Sequence, residues 1–194
     1  MVAIQVLLPR GYTLEPPWLL PGIESLLLVL LLIADPGRVT RESRILRMLG
    51  LAVVVAASVA TTWSVFNLVR DIITGQTKGG SLLAHGALIW VTNVIVFALW
   101  YWELDRGGPA SRANATRTLP DFLFPQMTAP KLARPDWEPQ FVDYLYVAFT
   151  NSTAFSPTDT MPMTRYAKLS MMFQSAISFG VVVLVIARAV NVLG

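Results

Sequence analysis

The chain contains no cysteine and only one histidine, and these two absences exclude several kinds of site. Without cysteine it can form no disulfide, no thiolate metal site and no cysteine nucleophile. The single histidine, His85, excludes a multi-histidine metal centre within one copy of the chain. The zinc-protease motif HExxH, the nucleophile elbow GxSxG and the P-loop are missing as well. We therefore expect no enzymatic activity, no resident metal and no cofactor.

Charged residues are also scarce. They make up 14% of the 194 residues, against 54% hydrophobic residues, and the mean hydropathy is +0.55. A soluble domain of this length needs more polar surface to cover its core. The formal net charge is +3, and the basic residues form short clusters between apolar runs, which suits loops near anionic lipid headgroups better than a nucleic-acid interface. The composition predicts an integral membrane protein whose partner is the lipid bilayer and not nucleic acid.

Four apolar runs are candidates for membrane spans, since a bilayer core of about 30 Å needs roughly 20 apolar residues in a helix. No proline falls between residues 37 and 108 or after Pro162, as uninterrupted helices require. We predict four transmembrane helices, at Trp18 to Ala34, Met48 to Val69, Ser81 to Trp102 and Leu169 to Ala187.

The region between the third and fourth runs has a different composition. Glu103 to Gln140 is rich in proline and charge and contains one apolar island, Phe122 to Met127, which we expect to dip into the interface or to pack on the helices. Phe141 to Thr153 (FVDYLYVAFTNST) is apolar and aromatic but too short to span, which indicates a re-entrant or interfacial helix. The predicted fold is an all-α integral membrane protein with four transmembrane helices plus a re-entrant helix and loop before the last one. Its three regions are residues 1–102, 103–140 and 141–194.

The stretch FTNSTAFSPTDTMPMT, from Phe149 to Thr164, resembles the pore domain of potassium channels. In both, a short helix leads into a polar loop that ends in Asp, followed by Pro-x-Thr and a long apolar helix. The resemblance covers the last quarter of the chain. The residues that fall on the family pattern are Phe149, Thr150, Thr153, Asp159, Pro162 and Thr164, with Lys168 and Leu169 on the basic-leucine pair that starts the inner helix.

This resemblance implies an ion channel-like homotetramer for monovalent ions, with residues 151–159 facing the pore axis. The two glycines of the potassium filter are absent, and Pro157 fixes φ and lacks an N–H, so four copies cannot build the potassium-selective stack of carbonyl rings. We expect a cation-related pore in which the hydroxyls of Ser156 and Thr158 and a ring of Asp159 replace that stack. The filter-like positions are Thr153, Ala154, Phe155, Ser156, Pro157, Thr158 and Asp159.

Other interpretations of these residues remain open. Asp159 either attracts cations at a pore mouth or caps a helix or anchors the loop. The hydroxyls of Ser152, Thr153, Ser156 and Thr158 either face an ion or satisfy the backbone of a tight loop. At the level of function, the alternatives are a non-conducting membrane scaffold or subunit that retains the pore architecture, and a small solute carrier.

Two further polar residues lie within apolar runs. Glu24 is in the first run, and a carboxylate inside the membrane is a functional candidate by default, although a later start of the helix would leave it at the interface. His85 is near the start of the third run, where it acts as a proton relay or as an interhelical hydrogen-bonding group.

The whole chain also resembles a family of uncharacterised bacterial multi-pass membrane proteins, a domain of unknown function. The shared features are the aromatic segment Asp143 to Tyr146, the polar loop with Asp, and a closing helix that ends at Asn191 to Leu193. This resemblance implies the bacterial inner (plasma) membrane and no transferable activity.

Arginines at 38, 41, 44 and 47 predict a cytoplasmic first loop, which places the short helix on the cytoplasmic side as well. A potassium-channel pore loop enters from the outside, so the two inferences conflict.

Overall fold

The computed structural model describes residues 7–8, 10–13, 16, 18, 22–23, 25–26, 44–74, 79–153 and 159–193. These residues are mostly helical, with 3-10 turns at Arg10–Tyr12 and Asp105–Gly107. The helices and strands are α1 (Arg44–Thr74), α2 (Gly79–Leu104), α3 (Pro109–Ala113), β1 (Phe122–Leu123), α4 (Pro125–Thr128), α5 (Phe141–Thr153), β2 (Met161–Pro162) and α6 (Arg165–Leu193).

Three of the helices in the described part of the chain are long and apolar enough to cross a membrane. The qualifying segments are Arg47–Thr74 in α1, Ser81–Gly107 in and after α2, and Arg165–Ala187 in α6. They coincide with the second, third and fourth apolar runs of the sequence. The first predicted span, Trp18 to Ala34, lies mainly outside the described residues. Three apolar helices of this kind are compatible with a membrane protein.

The hydroxyl side chains of α1 do not disturb its helix, because each donates to a carbonyl one turn earlier. Thr61 donates to the Ala57 carbonyl at 2.9 Å, and Ser64 to the Ala60 carbonyl at 3.0 Å. Such bonds satisfy the hydroxyl inside an apolar environment. An otherwise apolar helix can therefore carry several Ser and Thr residues.

Helix α2 lies at the centre and runs antiparallel to α1 and α6. Near one end of α2, Glu103 lies against Gly50, where an added Cβ would come within 3.0 Å of the carboxylate. Near the other end, Gly86 packs so closely on α6 that an added Cβ would lie 2.6 Å from Cγ2 of Val185. We call these the Glu103 end, which also holds Arg47 and Arg165, and the Thr74 end, which also holds Ser81 and Val185.

Residues 103–140 form an ordered cap at the Glu103 end. Strand β1 pairs antiparallel with β2, so that Phe122 lies opposite Pro162 and Leu123 opposite Met161. This short pairing was not predicted; the described fold is otherwise mostly helical, as predicted. Phe122 is 0% exposed, and its ring contacts Tyr101 of α2 at 4.8 Å and Tyr144 of α5 at 6.3 Å between centroids. The apolar island thus packs on the helices, one of its two expected positions.

Candidate functional site

One face of helix α5 packs against the rest of the chain and thereby positions the helix. Its buried residues fall at the helical spacing i, i+3, i+4, i+7 and i+8, which places them on one side of the helix. They are Tyr144, Val147, Ala148, Asn151 and Ser152. The opposite side exposes Val142, Tyr146 and Phe149. The helix therefore has one face committed to the rest of the chain and one large apolar face uncovered.

Helix α5 follows α2 from its end toward its middle. Phe141 packs edge-on against Trp102 at 6.1 Å between ring centroids, and Phe149 packs edge-on against Trp90 at 5.8 Å. Trp90 and Trp102 are separated by about 18 Å along a helix that rises 1.5 Å per residue. Helix α5 thus runs antiparallel to α2 from the Glu103 end to about the middle of α2.

The C-terminal half of α5 is fastened to α6 by a buried amide, Gln174. Its Nε2 donates to the Ala148 carbonyl and to the Ser152 hydroxyl, both at 2.9 Å. Its Oε1 accepts from Asn151 Nδ2 at 2.8 Å and from the Tyr101 hydroxyl at 2.6 Å. Gln174 is 0% exposed, so all four of its bonds are shielded from water. Such a network, fully satisfied, holds three helices in one arrangement.

Asn151 and Ser152 therefore have structural partners within the chain. Asn151 Nδ2 also donates to the Met171 carbonyl at 2.9 Å, and both side chains are 2% exposed. Within one chain, hydrogen bonding to α6 turns these two side chains inward, whereas the expectation that residues 151–159 face a pore axis between copies stays a prediction. For Ser152, the interpretation that its hydroxyl satisfies local structure is the one that the contacts support.

Of the remaining filter-like residues, the structure describes Thr153 and Asp159. Thr153 is exposed and donates to the Phe149 carbonyl at 3.0 Å, one turn earlier. Ala154, Phe155, Ser156, Pro157 and Thr158 lie outside the described residues. Asp159 is exposed and immediately precedes Thr160 and β2, at the Glu103 end. The chain therefore leaves α5 near the middle of α2 and is back at the Glu103 end by β2.

The two other polar candidates are not part of this arrangement. Glu24 lies outside the described residues. His85 lies near the Thr74 end, half-buried, with its ring 4.9 Å from that of Tyr12. Tyr12 is bound to Asp71 of α1 at 2.7 Å through its hydroxyl, and Asp71 interacts electrostatically with His85. His85 therefore belongs to an interhelical cluster at the Thr74 end, opposite to the Glu103 end at which α5 begins.

A second polar cluster, at the Glu103 end, was not predicted from the sequence. Asp105 is 0% exposed and accepts from the backbone N–H groups of Asp121 at 2.8 Å and Phe122 at 3.3 Å. Its Oδ2 accepts from the Tyr144 hydroxyl at 2.6 Å. This carboxylate joins α2, the cap and α5. These contacts make Asp105 a buried anchor.

Arg112 completes this cluster. Its Nη1 donates to the carbonyls of Trp102 at 2.6 Å and Asp105 at 2.9 Å, at the end of α2. Its guanidinium lies 4.4 Å from the ring centroid of Trp102 and 5.1 Å from that of Tyr144. Burial lowers the pKa of Arg112. Burial and the adjacent Asp105 carboxylate raise the pKa of the Tyr144 hydroxyl, which therefore stays protonated and donates at neutral pH.

A sequence signal existed for Gln174, since it interrupts the apolar run from Leu169 to Ala187. Polar side chains inside a membrane span are rare and face the protein interior, so that position was identifiable as an interhelical contact. The partners of Gln174 were not identifiable, because they come from α2 and α5 and depend on tertiary packing. The same holds for the partners of Asp105, which come from the cap and from α5.

Comparison of the chain with protein-family models, with curated proteins and with solved structures gives no significant match. The fold itself defines a broad class. The described residues form a mostly helical protein with at least three helices suited to a membrane, the short helix α5 packed among them, and an ordered cap at one end.

Proposed function

We propose that the segment from α5 to β2 (residues 141–164) is a re-entrant pore loop and that the protein is a channel-like membrane protein for cations. The observation that carries this proposal is the placement of α5. This helix of 13 residues is too short to span a bilayer, yet it follows α2 inward from Trp102 to Trp90. Its far end is held by Gln174, and the chain returns to the end from which it entered.

The order of helices supports the same proposal. Helix α2 packs against both α5 and α6, as an outer helix packs on the pore helix and inner helix in the potassium-channel pore domain that the sequence resembles. Four copies would bring their α5 ends and residues 154–159 around one axis. The exposed apolar face of α5, with Val142 at 66% and Phe149 at 49% exposure, gives such neighbours a surface to cover.

In this proposal, selectivity does not come from a glycine-based filter. Ser156 and Thr158 would offer hydroxyl oxygens, and a ring of Asp159 would raise the local concentration of cations. From the resemblance to uncharacterised bacterial membrane proteins, we also propose that the protein lies in the bacterial inner membrane.

The direction of entry is proposed to be opposite to that of a potassium channel. Arg47 of α1 interacts electrostatically with Glu103 of α2, so α1, which follows the arginine-rich segment in the sequence, begins at the same end as α5. Since arginine-rich loops stay in the cytoplasm, we infer that the pore loop enters from the cytoplasmic side.

Ion flux into liposomes tests the proposal. Purified protein is reconstituted, and the fluxes of K⁺, Na⁺ and Cl⁻ are compared for wild type, Asp159→Asn and Asp136→Asn. We expect the wild type to conduct cations. Asp159→Asn should lower this flux severalfold, since a ring of charge is lost, whereas Asp136→Asn should leave it unchanged. Asp136 provides the matched control because its side chain is 76% exposed on the cap.

The same experiment separates the alternatives. No flux of any ion would favour a non-conducting scaffold that keeps the pore architecture. Flux that is insensitive to substitutions at Ser156, Thr158 and Asp159 would place the pathway elsewhere. A protein that is monomeric in lipid, by native mass spectrometry, would overturn the tetrameric arrangement.

A second candidate function, a small solute carrier, is favoured by a cavity of about 510 Å³ between α1, α2 and α6. Asn93 lines it, is 1% exposed and donates to Ser178 at 3.0 Å. Its Oδ1 has no hydrogen-bond partner among the described residues. A carrier would show solute uptake that Asn93→Leu abolishes and Asp159→Asn leaves intact, whereas the pore-loop proposal expects the reverse sensitivities.

A further inference from the structure

A second cavity, of about 340 Å³, lies in the cap at the Glu103 end, away from α6 and from the pore-loop segment 154–159. Its walls come from the end of α2, from α3 and from the segment that leads into α5. The residues that matter to its chemistry are Trp102, Arg106, Arg112, Glu138 and Gln140. Two guanidinium groups therefore share one partly open cavity beside an interfacial tryptophan.

Arg112, which lines this cavity, has one buried donor without a partner among the described residues. It is only 9% exposed. The two bonds of its Nη1 are made to backbone carbonyls, whereas its Nη2 is buried with no hydrogen-bond partner among the described residues. A buried charged donor without an acceptor is costly, and an anionic oxygen bound in the cavity would satisfy it.

Arg106 adds a second unused donor. Its Nε also lacks a hydrogen-bond partner among the described residues and lies 3.6 Å from Asp105 Oδ2, an ion pair without hydrogen-bond geometry. Asp105 has little capacity left, because it already accepts from Asp121, Phe122 and Tyr144. Arg106 Nε therefore has no acceptor among the described residues, although the carboxylate of Asp121 lies close by and accepts from the Arg106 backbone N–H at 2.8 Å.

The backbone holds Arg106 in an unusual conformation. Its φ of +51° is in the left-handed region, where a residue with a Cβ is strained. Gly107 and Gly108 follow with φ of +83° and +101°. Strain of this kind at a cavity wall is a recurrent feature of binding sites, where it fixes the direction of one side chain.

The remaining wall limits the charge of the ligand. Glu138 is exposed at the cavity and opposes a second negative charge, so a monoanion is favoured over a dianion. Trp102 lies at the end of an apolar helix, at the level where tryptophan meets the headgroup region of a bilayer. A phosphodiester meets both conditions, since it carries one charge and is found at that level in phospholipids.

We propose that this cavity binds a phosphate oxyanion between Arg106 and Arg112, and that the phosphodiester of a phospholipid headgroup is its favoured source. This inference is independent of the pore-loop proposal and uses none of the residues 154–159.

Thermal unfolding of the purified protein in a neutral detergent tests the site. The midpoint is measured against increasing dihexanoyl phosphatidylglycerol, inorganic phosphate, or dihexanoyl glycerol, which lacks phosphate, at constant ionic strength. We expect a saturable rise in the midpoint with the phospholipid and none with dihexanoyl glycerol. A rise with inorganic phosphate as well would show that the oxyanion alone suffices, and a rise with the lipid alone would show that the headgroup requires its tails; both results support the site.

Three variants make the test specific. Arg106→Gln should raise the half-saturating lipid concentration by about tenfold or more, the loss of one hydrogen bond to a charged group. Arg134→Gln makes the same change of charge at a side chain that is 83% exposed, and should leave binding unchanged. Glu138→Gln should strengthen binding of the anionic lipid. Arg106 makes no side-chain hydrogen bond within the described residues, so its variant is expected to fold.

Two results would overturn the proposal. One is the absence of a saturable response to either phosphate compound. The other is equal weakening by Arg106→Gln and Arg134→Gln, which would show attraction by net charge and not a site.

Discussion

Asp105 has no exposed surface, and its carboxylate accepts hydrogen bonds from donors in the cap and in α5. Its replacement by alanine would leave two backbone N–H groups and the Tyr144 hydroxyl buried without an acceptor. It would also remove the carboxylate that pairs with the Arg106 side chain at 3.6 Å. We expect Asp105→Ala to destabilise the protein by about 3 to 5 kcal/mol, as is typical when one partner of a buried charged network is lost.

The measurement is the loss of folded protein with temperature, followed by fluorescence-detected size exclusion. Asp136→Ala is the matched control, because its carboxylate is exposed and is paired only with exposed Arg134 at 3.6 Å. If both variants unfolded at the temperature of wild type, the role of Asp105 as an anchor between α2, the cap and α5 would be refuted.

Gln174 plays the corresponding role at the inner end of α5. Gln174→Leu keeps a similar volume but removes the acceptor of Tyr101 and the donor to Ser152 and Ala148. We expect the anchoring of α5 to weaken by about 2 to 4 kcal/mol, because several buried polar groups lose their partners. Amide hydrogen exchange in residues 141–153 should then become faster by about tenfold or more.

Ser170→Ala on the same helix is the control for this measurement. The Ser170 hydroxyl donates only to the Tyr166 carbonyl one turn earlier, at 2.8 Å, so exchange in α5 should not change. Equal exchange rates in Gln174→Leu and wild type would mean that apolar packing alone holds α5 in place.

At the scale of elements, the close approach of α2 and α6 depends on Gly86. A Cβ at this position would lie 2.6 Å from Val185 Cγ2, so either the Val185 side chain or the two helices would have to shift. We expect Gly86→Ala to destabilise the protein by about 1 to 3 kcal/mol through overpacking. Gly180→Ala, where an added Cβ meets nothing within 4 Å, should be neutral or slightly stabilising.

The double variant Gly86→Ala with Val185→Ala identifies the cause. If the clash with Val185 is responsible, the second substitution should recover part of the lost stability, measured as the midpoint of thermal unfolding. Additive destabilisation by the two substitutions would contradict a direct contact.

The elements themselves were largely predictable from the sequence. The apolar runs at Met48, Ser81 and Leu169 mark α1, α2 and α6, because a membrane-length helix needs an uninterrupted apolar stretch. The short helix was predicted at Phe141 to Thr153, the bounds that the structure gives. The pairing of Phe122 with Pro162 was not predictable, because strands of two residues leave no alternating pattern and depend on contacts 40 residues apart.

The candidate site was less accessible to sequence reasoning. The resemblance to a pore domain drew attention to Asn151 and Ser152 as axis-facing residues, whereas hydrogen bonds with Gln174 bury both. Periodicity alone could place the polar and apolar residues of α5 on faces. It could not decide which neighbouring helix covers each face, since that choice is made by tertiary packing.

The side from which α5 enters can be measured by labelling, because the natural chain contains no cysteine. Three exposed positions are each replaced by a single cysteine. Thr74 lies at the Thr74 end, Lys131 lies in the cap, and Asp159 follows the proposed pore-loop segment. In sealed vesicles, a membrane-impermeant thiol reagent should label Lys131→Cys and Asp159→Cys from one side and Thr74→Cys from the other. Labelling of Asp159→Cys together with Thr74→Cys would mean that the segment from α5 to β2 crosses the membrane.

At the scale of the whole molecule, the described chain has two apolar cores. One, at the Glu103 end, joins α2, α5, α6 and the cap; the other, at the Thr74 end, joins α1, α2 and α6 with Leu8 and Tyr12. Buried Gln174 and Asp105 are associated with the first core. Helix α5 and the proposed phosphate site lie on this side as well.

Block of ion flux by a thiol reagent at position 159 tests the proposed pore loop most directly. In liposomes, a positively charged, membrane-impermeant reagent should strongly lower the cation flux of Asp159→Cys when it is added from the side that labels Lys131→Cys. The flux of Asp136→Cys and of the cysteine-free wild type should not change. Full labelling of Asp159→Cys without any effect on cation flux would contradict a pathway through the segment from α5 to β2.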